Sequence, residues 1–492
     1  MTMRKDRRCT WLLLATLVTP CASANAQSSS VTLPETPLGH LASDWIQLCQ
    51  HANRNQVAQW LTAHLSADGM RGASVPYRTA IQIEECTGNG AMQVARVRES
   101  TTQRMQVELV GAKSGSWVLL DLEANDVGQL DHVSASPTVP PESAMPRDLS
   151  DSALGKDVRA LVARIGAAGL FSGIVTVARD THVIVQATTG YANHSRQTPI
   201  TGSTQFTLGS LGKMFTAASI GQLVDQGKIS FGDPVGKFFP DYPNALVRDQ
   251  VTVGMLLSHT GGLGDFLARR TPEMMKNGVA RAAEFLPLYD HDAPLFTPGT
   301  QWAYSNAGLA LAGAIVEKVS GEDYPAYIRQ NIFARARMAH SDPNNQPRAW
   351  SDLVTPYTKF TPQGPSADWT EAAADIGSPA GGAISTADDL VRFAAALRHG
   401  TLETSATFAE MIKPRHVVPD RGQYGYAMEI TDVYGRTVVG HGGGFSGVST
   451  HLYLVLGSPY TIVVLANQDP PADGYGGLMT LALVAEKAKR GQ

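Results

Sequence analysis

Cysteine is scarce in this chain, with four residues in 492. None of them stands with histidine at a metal-ligand spacing, so no metal site is expected, and nothing implies another cofactor. Charge is also thin: charged residues make up 17% and the formal net charge is -4. There is no basic face or Lys/Arg run of the kind that binds nucleic acid. No hydrophobic run is long enough to span a bilayer. Two familiar motifs are missing as well. A nucleophile elbow needs G-x-S-x-G, but Ser210 has Leu208 before it, and Ser446 has Val448 after it. A phosphate loop around Gly212-Lys213 needs glycine at 207 and Ser/Thr at 214; the chain has Thr207 and Met214.

What is present begins with an export signal. Arg4, Lys5, Arg7 and Arg8 precede the short apolar run Trp11 to Val18, and Ala24-Asn25-Ala26 offers a cleavage site before Gln27. Residues 1–26 therefore read as a signal peptide, and the protein is expected to be periplasmic or secreted. Cleavage would remove Cys9 and Cys21 and leave Cys49 and Cys86. In an exported protein such a pair is either a disulfide or two buried thiols, and sequence alone leaves both open.

A chain this long predicts more than one core. Residues 31–135 read as a small α+β domain. Leu41, Trp45, Leu48 and Cys49, then Val57, Trp60, Leu61 and Leu65, recur at helical spacing. Strands are expected at Ala80 to Glu85, Met92 to Arg98, Met105 to Val110, Trp117 to Leu122 and Leu130 to Val133, with hairpin turns at Gly88-Asn89-Gly90 and Lys113-Ser114-Gly115. This pattern resembles the cone-shaped folds related to nuclear transport factor and small polyketide cyclases. Residues 136–150 read as an extended linker, its prolines falling in the stretch Ser134 to Pro146.

The second domain is expected over 151–492. Phe171 to Ala178 and His182 to Ala187 predict a hairpin around Arg179-Asp180-Thr181. Strands return at Gly425 to Thr431, Thr437 to His441, Val448 to Val455 and Tyr460 to Ala466, before a final helix from Gly476 to Lys489. Strands at both ends and a helical middle predict one sheet, flanked by helices, with a helical subdomain inserted. The active site would lie between them.

The candidate chemistry starts at Ser210-Leu211-Gly212-Lys213. A serine three residues before a lysine, on the first turn of a helix, shares one face with it. The helix N-terminus favours a developing oxyanion. The spacing by itself is common, with about one or two chance copies in a chain this long. Lys213, however, is the only lysine with a serine at that distance. Tyr304-Ser305-Asn306 stands on a turn before the apolar helix Leu309 to Val319, where a tyrosine could shuttle protons and an amide could hold a substrate carbonyl. His441-Gly442-Gly443-Gly444 ends a strand with residues that lack side chains, so a substrate backbone could approach closely. His259-Thr260-Gly261 has the same spacing but follows the helical run Val253 to Ser258, where a capping or packing role suffices.

In the order Ser-x-x-Lys, Tyr-x-Asn, His-x-Gly, the chain resembles the serine β-lactamase-related hydrolases: class C β-lactamases, D-aminopeptidases, DD-carboxypeptidases and β-lactamase-like esterases. Further matches are Gly227-Lys228-Ile229-Ser230 with Asp233-Pro234-Val235, Leu256-Leu257-Ser258-His259-Thr260-Gly261-Gly262-Leu263, and Ala380-Gly381-Gly382-Ala383-Ile384-Ser385-Thr386-Ala387. The resemblance covers about 160 to 470 and implies an α/β fold of the β-lactamase/transpeptidase type. It implies that Ser210 is the acylated nucleophile and that Lys213 and Tyr304 share the base role. Asn306 would contact the substrate's acyl side chain, and the N–H groups of Ser210 and Gly444 would form the oxyanion hole. His441 and Gly443 would lie on the substrate-binding strand. His441 replaces the lysine of many β-lactamases, and a neutral histidine grips a carboxylate less firmly, its reference pKa being ~6.5. The expectation is a serine hydrolase acting on small carboxylic esters or on peptides and amides of D-amino acids. The alternatives are a penicillin-binding or sensory protein with little turnover, or a weak class C-like β-lactamase. Oligomeric state is left open.

Overall fold

The computed structural model describes residues 31–51, 53–71, 74–344, 351–361, 364–372, 376–418 and 422–491. The expected signal peptide, with Cys9 and Cys21, lies outside the described residues.

The N-terminal unit packs three helices, Pro37–His51, Arg54–His64 and Val75–Asn89, against a four-stranded antiparallel meander. Its strands are Met92–Ser100, Arg104–Gly111, Trp117–Ala124 and Leu130–Pro137. The stretch Ala80 to Glu85, expected as a strand, is helical. Pro76 sits in the first helical turn, where its missing N–H costs nothing. Thr79, Gln82 and Cys86 recur at helical spacing on the buried side, where Gln82 accepts the indole N–H of Trp45 over 3.2 Å. Gly88-Asn89-Gly90 is thus the end of that helix and not a hairpin turn. Cys49 and Cys86 form a disulfide that ties the first and third helices together.

The expected linker is more structured than proline content suggests. Ser134, Ala135, Ser136 and Pro137 pair with the strand Trp117–Ala124. Pro140 then gives its carbonyl to the Tyr434 hydroxyl at 2.6 Å, so the segment runs packed along the second unit.

That second unit is built on one eight-stranded antiparallel sheet. Its order is His416–Val418, Gly422–Tyr424, Glu429–Val433, Arg436–Phe445, Val448–Val455, Tyr460–Ala466, Gly173–Arg179 and His182–Thr189. The hairpin Gly173–Thr189 and the last strand meet because Gly173–Arg179 pairs along its whole length with Tyr460–Ala466. Helices Asp151–Ala167 and Ala472–Arg490 cover one face with Val158, Ile165, Leu481 and Val484. The other face carries the inserted helices, with Met214, Phe215, Leu311, Ile315 and Phe393 in one continuous core. Both faces of the central strands are buried, which is why those strands are apolar runs and not alternating ones. Two expectations shift here. Gly425 to Met428 is a turn, not the start of a strand. The His441 strand runs on through three glycines to Phe445. A hairpin of Tyr357–Thr361 and Gly364–Glu371, inside the region read as helix and loop, was not anticipated.

Candidate active site

Ser210 lies on a tight turn, Gly209–Gly212, directly before the helix Lys213–Asp225, one step earlier than the first α-helical turn expected for it. The turn is clamped by backbone contacts that exclude side chains. A Cβ on Gly443 would lie 2.0 Å from the carbonyl oxygen of Leu208, and one on Gly381 would lie 2.4 Å from that of Gly209. Thr450 adds a hydrogen bond to the Leu208 carbonyl at 2.7 Å, and Gly382 N–H donates to that of Gly209 at 3.0 Å. This packing brings the Ser210 turn against Gly443 and Gly444 of the sheet. A Cβ placed on Gly209 would sit 3.2 Å from the Gly444 nitrogen.

Lys213 is fully buried beneath Ser210. Its Nζ lies 3.0 Å from Ser210 Oγ, 2.8 Å from Asn306 Oδ1 and 2.5 Å from the Ala380 carbonyl oxygen. Burial drives its pKa down to about 7, opposed in part by the nearby Asp265 carboxylate. A neutral amine has two N–H donors and one lone pair. Asn306 and Ala380 can take both donors, which leaves the lone pair for the Ser210 proton.

Tyr304 borders the same space, with its ring centroid 4.7 Å from Lys213 Nζ and 37% of its surface exposed. Ser305 caps the following helix, Asn306–Ser320, by accepting from Gly308 N–H at 2.8 Å. That cap turns the chain so that Tyr304 and Asn306 face Lys213. Asn306 is buried, and its amide nitrogen donates to Asp265. Its two polar ends thus bridge Lys213 and Asp265, whereas the expectation was contact with a substrate side chain.

Ser210, Tyr304 and the strand Gly440 to Gly444 line one cavity of about 590 Å³. The structure brings Ser210, Lys213, Tyr304, Asn306, Gly443 and Gly444 together. His441 departs from its expected part. Its side chain is buried, its Nε2 is 2.8 Å from the Tyr424 hydroxyl, and its Nδ1 is 2.5 Å from the Gly442 carbonyl oxygen. Both ring nitrogens are occupied by the protein, so neither is offered to a substrate carboxylate. Burial pushes its pKa down to about 4, with the Glu429 carboxylate opposing.

The beta-lactamase family model matches residues 155–486, two thirds of the sequence. The chain belongs to the beta-lactamase family. Penicillin-binding protein 4* of Bacillus subtilis (strain 168) is 26% identical over 336 residues, covering 64% of this chain and 72% of that protein. The D-aminopeptidase of Cereibacter sphaeroides (strain ATCC 17029 / ATH 2.4.9) is 22% identical over 329 residues, covering 65% and 61%. A penicillin binding protein from Bacillus halodurans has a solved structure that superposes with a TM-score of 0.55 at 28% identity, covering 67% of this chain and 98% of that one. Matches to two other curated relatives cover 59% and 51% of their length. This beta-lactamase-family chain is a hydrolytic enzyme of the serine hydrolase superfamily, with a fold of the β-lactamase/transpeptidase type.

Four residues of the site escaped sequence reasoning. Ala380 contributes only a carbonyl, and any residue type has one. Asp265 lies just past the matched block that ends at Leu263 and carries no spacing signal of its own. His259 reads from its spacing as a capping or packing residue, yet its buried ring lies 4.5 Å from that of Tyr304. Tyr424 sits on an unremarkable short strand.

Proposed function

We propose that this enzyme is exported and hydrolyses carboxylic esters and amides or peptides of D-amino acids through an acyl-enzyme on Ser210. The observation that carries the reading is the buried Lys213 amine, 3.0 Å from the Ser210 hydroxyl. Neutral Lys213 takes the Ser210 proton as Oγ attacks the substrate carbonyl carbon. The oxyanion is received by the N–H groups of Ser210 and Gly444, at the positive end of the following helix. Lys213, with Tyr304 beside it, then passes a proton to the leaving alcohol or amine. Water reverses the sequence and releases the acid. Gly443 leaves room for the substrate backbone along the strand edge.

The ester and D-amino-acid preference is supported by the neutral, protein-bound His441, which leaves that position without a cation for a β-lactam carboxylate. The D-aminopeptidase relative points the same way. Export is supported by the Cys49–Cys86 disulfide, a bond that persists in oxidising compartments. The penicillin-binding relative favours a second reading, in which a penicillin acylates Ser210 and leaves slowly. Purified enzyme treated with a fluorophosphonate or a fluorescent penicillin should be labelled, and Ser210→Ala should not. Undiminished labelling of the variant would sink the assignment. A panel of short-chain aryl esters, nitrocefin and D-aminoacyl amides separates turnover from trapping.

A further inference from the structure

Behind the cavity, three buried side chains form a continuous hydrogen-bonded bridge. His259 Nδ1 is 3.1 Å from the Ser305 amide nitrogen. His259 Nε2 is 3.0 Å from the Tyr424 hydroxyl, which is 2.8 Å from His441 Nε2. His441 Nδ1 ends the series on the Gly442 carbonyl oxygen at 2.5 Å. His259, Tyr424 and His441 are all within 3% of full burial.

The two ends of the bridge fix every proton in it. A backbone N–H can only donate, so His259 Nδ1 must hold a lone pair, and a neutral ring then carries its proton on Nε2. That proton goes to the Tyr424 oxygen, and the single Tyr424 hydroxyl proton goes to His441 Nε2. From the other end, a carbonyl oxygen can only accept, so His441 Nδ1 must carry the proton and Nε2 the lone pair. Both ends give the same answer, with four bonds, three neutral groups and no donor facing a donor. A proton added to His259 would face the Ser305 N–H head to head, and one added to His441 would displace the Tyr424 hydroxyl proton from its acceptor in a dry place. Burial accordingly depresses both histidines, His259 far below the ordinary value, and holds the Tyr424 hydroxyl in its protonated form.

What the bridge joins gives it a part in the reaction. Ser305 stands between Tyr304 and Asn306, and Gly442 leads into Gly443 and Gly444. His259 also accepts the Ala303 N–H on its carbonyl at 3.0 Å, so both its backbone and its ring grip the turn that carries Tyr304. We propose that Tyr424 and His259 are positioning residues, and that together with His441 they form a neutral strut setting the distance between the Tyr304–Asn306 turn and the Gly443–Gly444 strand. This proposal rests on the hydrolase reading for its consequence, but the strut itself can be tested apart from it.

The strut predicts two opposite tautomers in one protein. In 15N-histidine-labelled enzyme at neutral pH, His259 should appear as the Nε2–H form and His441 as the Nδ1–H form, each assigned by its loss in His259→Gln or His441→Gln. A charged ring, or His441 in the Nε2–H form, overturns the proposal in the wild-type protein, whatever the variants do. Tyr424→Phe keeps the ring but removes the hydroxyl that links the histidines. It should slow phosphonylation of Ser210 by a fluorophosphonate, in which Oγ bonds to phosphorus and fluoride leaves, about 10- to 100-fold, the scale of a small misplacement of reacting groups. It should also release His441 from a single tautomer. An unchanged phosphonylation rate in a folded Tyr424→Phe protein overturns the positioning role. Failure of the wild type to be labelled at all would instead fall on the hydrolase reading and leave the tautomer result standing.

Discussion

Asn306 receives a hydrogen bond from Lys213 Nζ at 2.8 Å and passes one on from its amide nitrogen to Asp265, so that a surface carboxylate is coupled to the buried amine. The Asp265 carboxylate favours the charged form of Lys213, while burial favours the neutral form and prevails. In the mechanism proposed above the base is the neutral amine. Activity, measured as kcat/KM for a neutral ester, should therefore rise with pH through about 7 and fall away below it. Asp265→Asn removes the charge that holds the proton on, so the acidic limb should move to lower pH. A limb that stays in place or moves upward would contradict this coupling.

Gly443 should tolerate no side chain. The 2.0 Å approach of a Cβ to the Leu208 carbonyl leaves the Ser210 turn no option but to move. Gly443→Ala should cost about 1–3 kcal/mol of stability, the usual range for overpacking. It should reduce fluorophosphonate labelling of Ser210 far more than it lowers the melting temperature. Wild-type labelling in this variant would mean that the turn and the strand are not rigidly opposed.

Glu85, on the third helix of the N-terminal unit, contacts the hydroxyl of Tyr475 on the final helix, and Asn89 donates to that hydroxyl at 2.9 Å. Burial raises the Glu85 pKa from 4.5 to about 8, with the Tyr475 hydrogen bond opposing. The folded protein therefore holds this proton between the two values and the unfolded chain does not. Stability from this group is present below pH 4.5 and is lost as pH rises through about 8. Glu85→Gln cannot ionise. Urea unfolding across that window should show a smaller decline for the variant than for the wild type. An equal decline would assign the pH dependence elsewhere, Glu403 being the next group to examine, since burial raises it to about 8 as well.

The Cys49–Cys86 bridge closes a separation of 37 residues inside the N-terminal unit. Replacing both with serine should destabilise that unit by about 3–4 kcal/mol in the chain-entropy account. The pair is remote from the serine site in the fold, belonging to the core of Trp45, Leu61 and Val107. Acylation of Ser210 should therefore survive while a low-temperature unfolding step appears. Simultaneous loss of both would show that the two units fold as one.

Legibility varied with the kind of signal. Strands Val448–Val455 and Tyr460–Ala466 are readable because short runs rich in β-branched and aromatic residues, bounded by turn residues, have few other uses. The stretch Ala80 to Glu85 misleads because alternation over only four residues, Ile81 to Glu84, fits both a strand and one side of a helix. Pro76 and the contact of Gln82 with Trp45 decide for the helix, and the second of these exists only after folding. His441 was found for its position beside glycines. Its surroundings, which turn it from a ligand for substrate into part of the wall, depend on Tyr424 arriving from another strand.

The sequence by itself determined the family, the order of the three motifs and the pairing of a serine with the one lysine placed to reach it, since these depend on residue type and local spacing. Tertiary structure alone decided how Lys213 is buried, who shares its donors, and which way the protons of His259, Tyr424 and His441 point. Desolvation and hydrogen-bond direction are set by groups that meet only in space. The distance from Ser305 to Gly442, spanned by three side chains from three separate parts of the chain, is written in none of them alone.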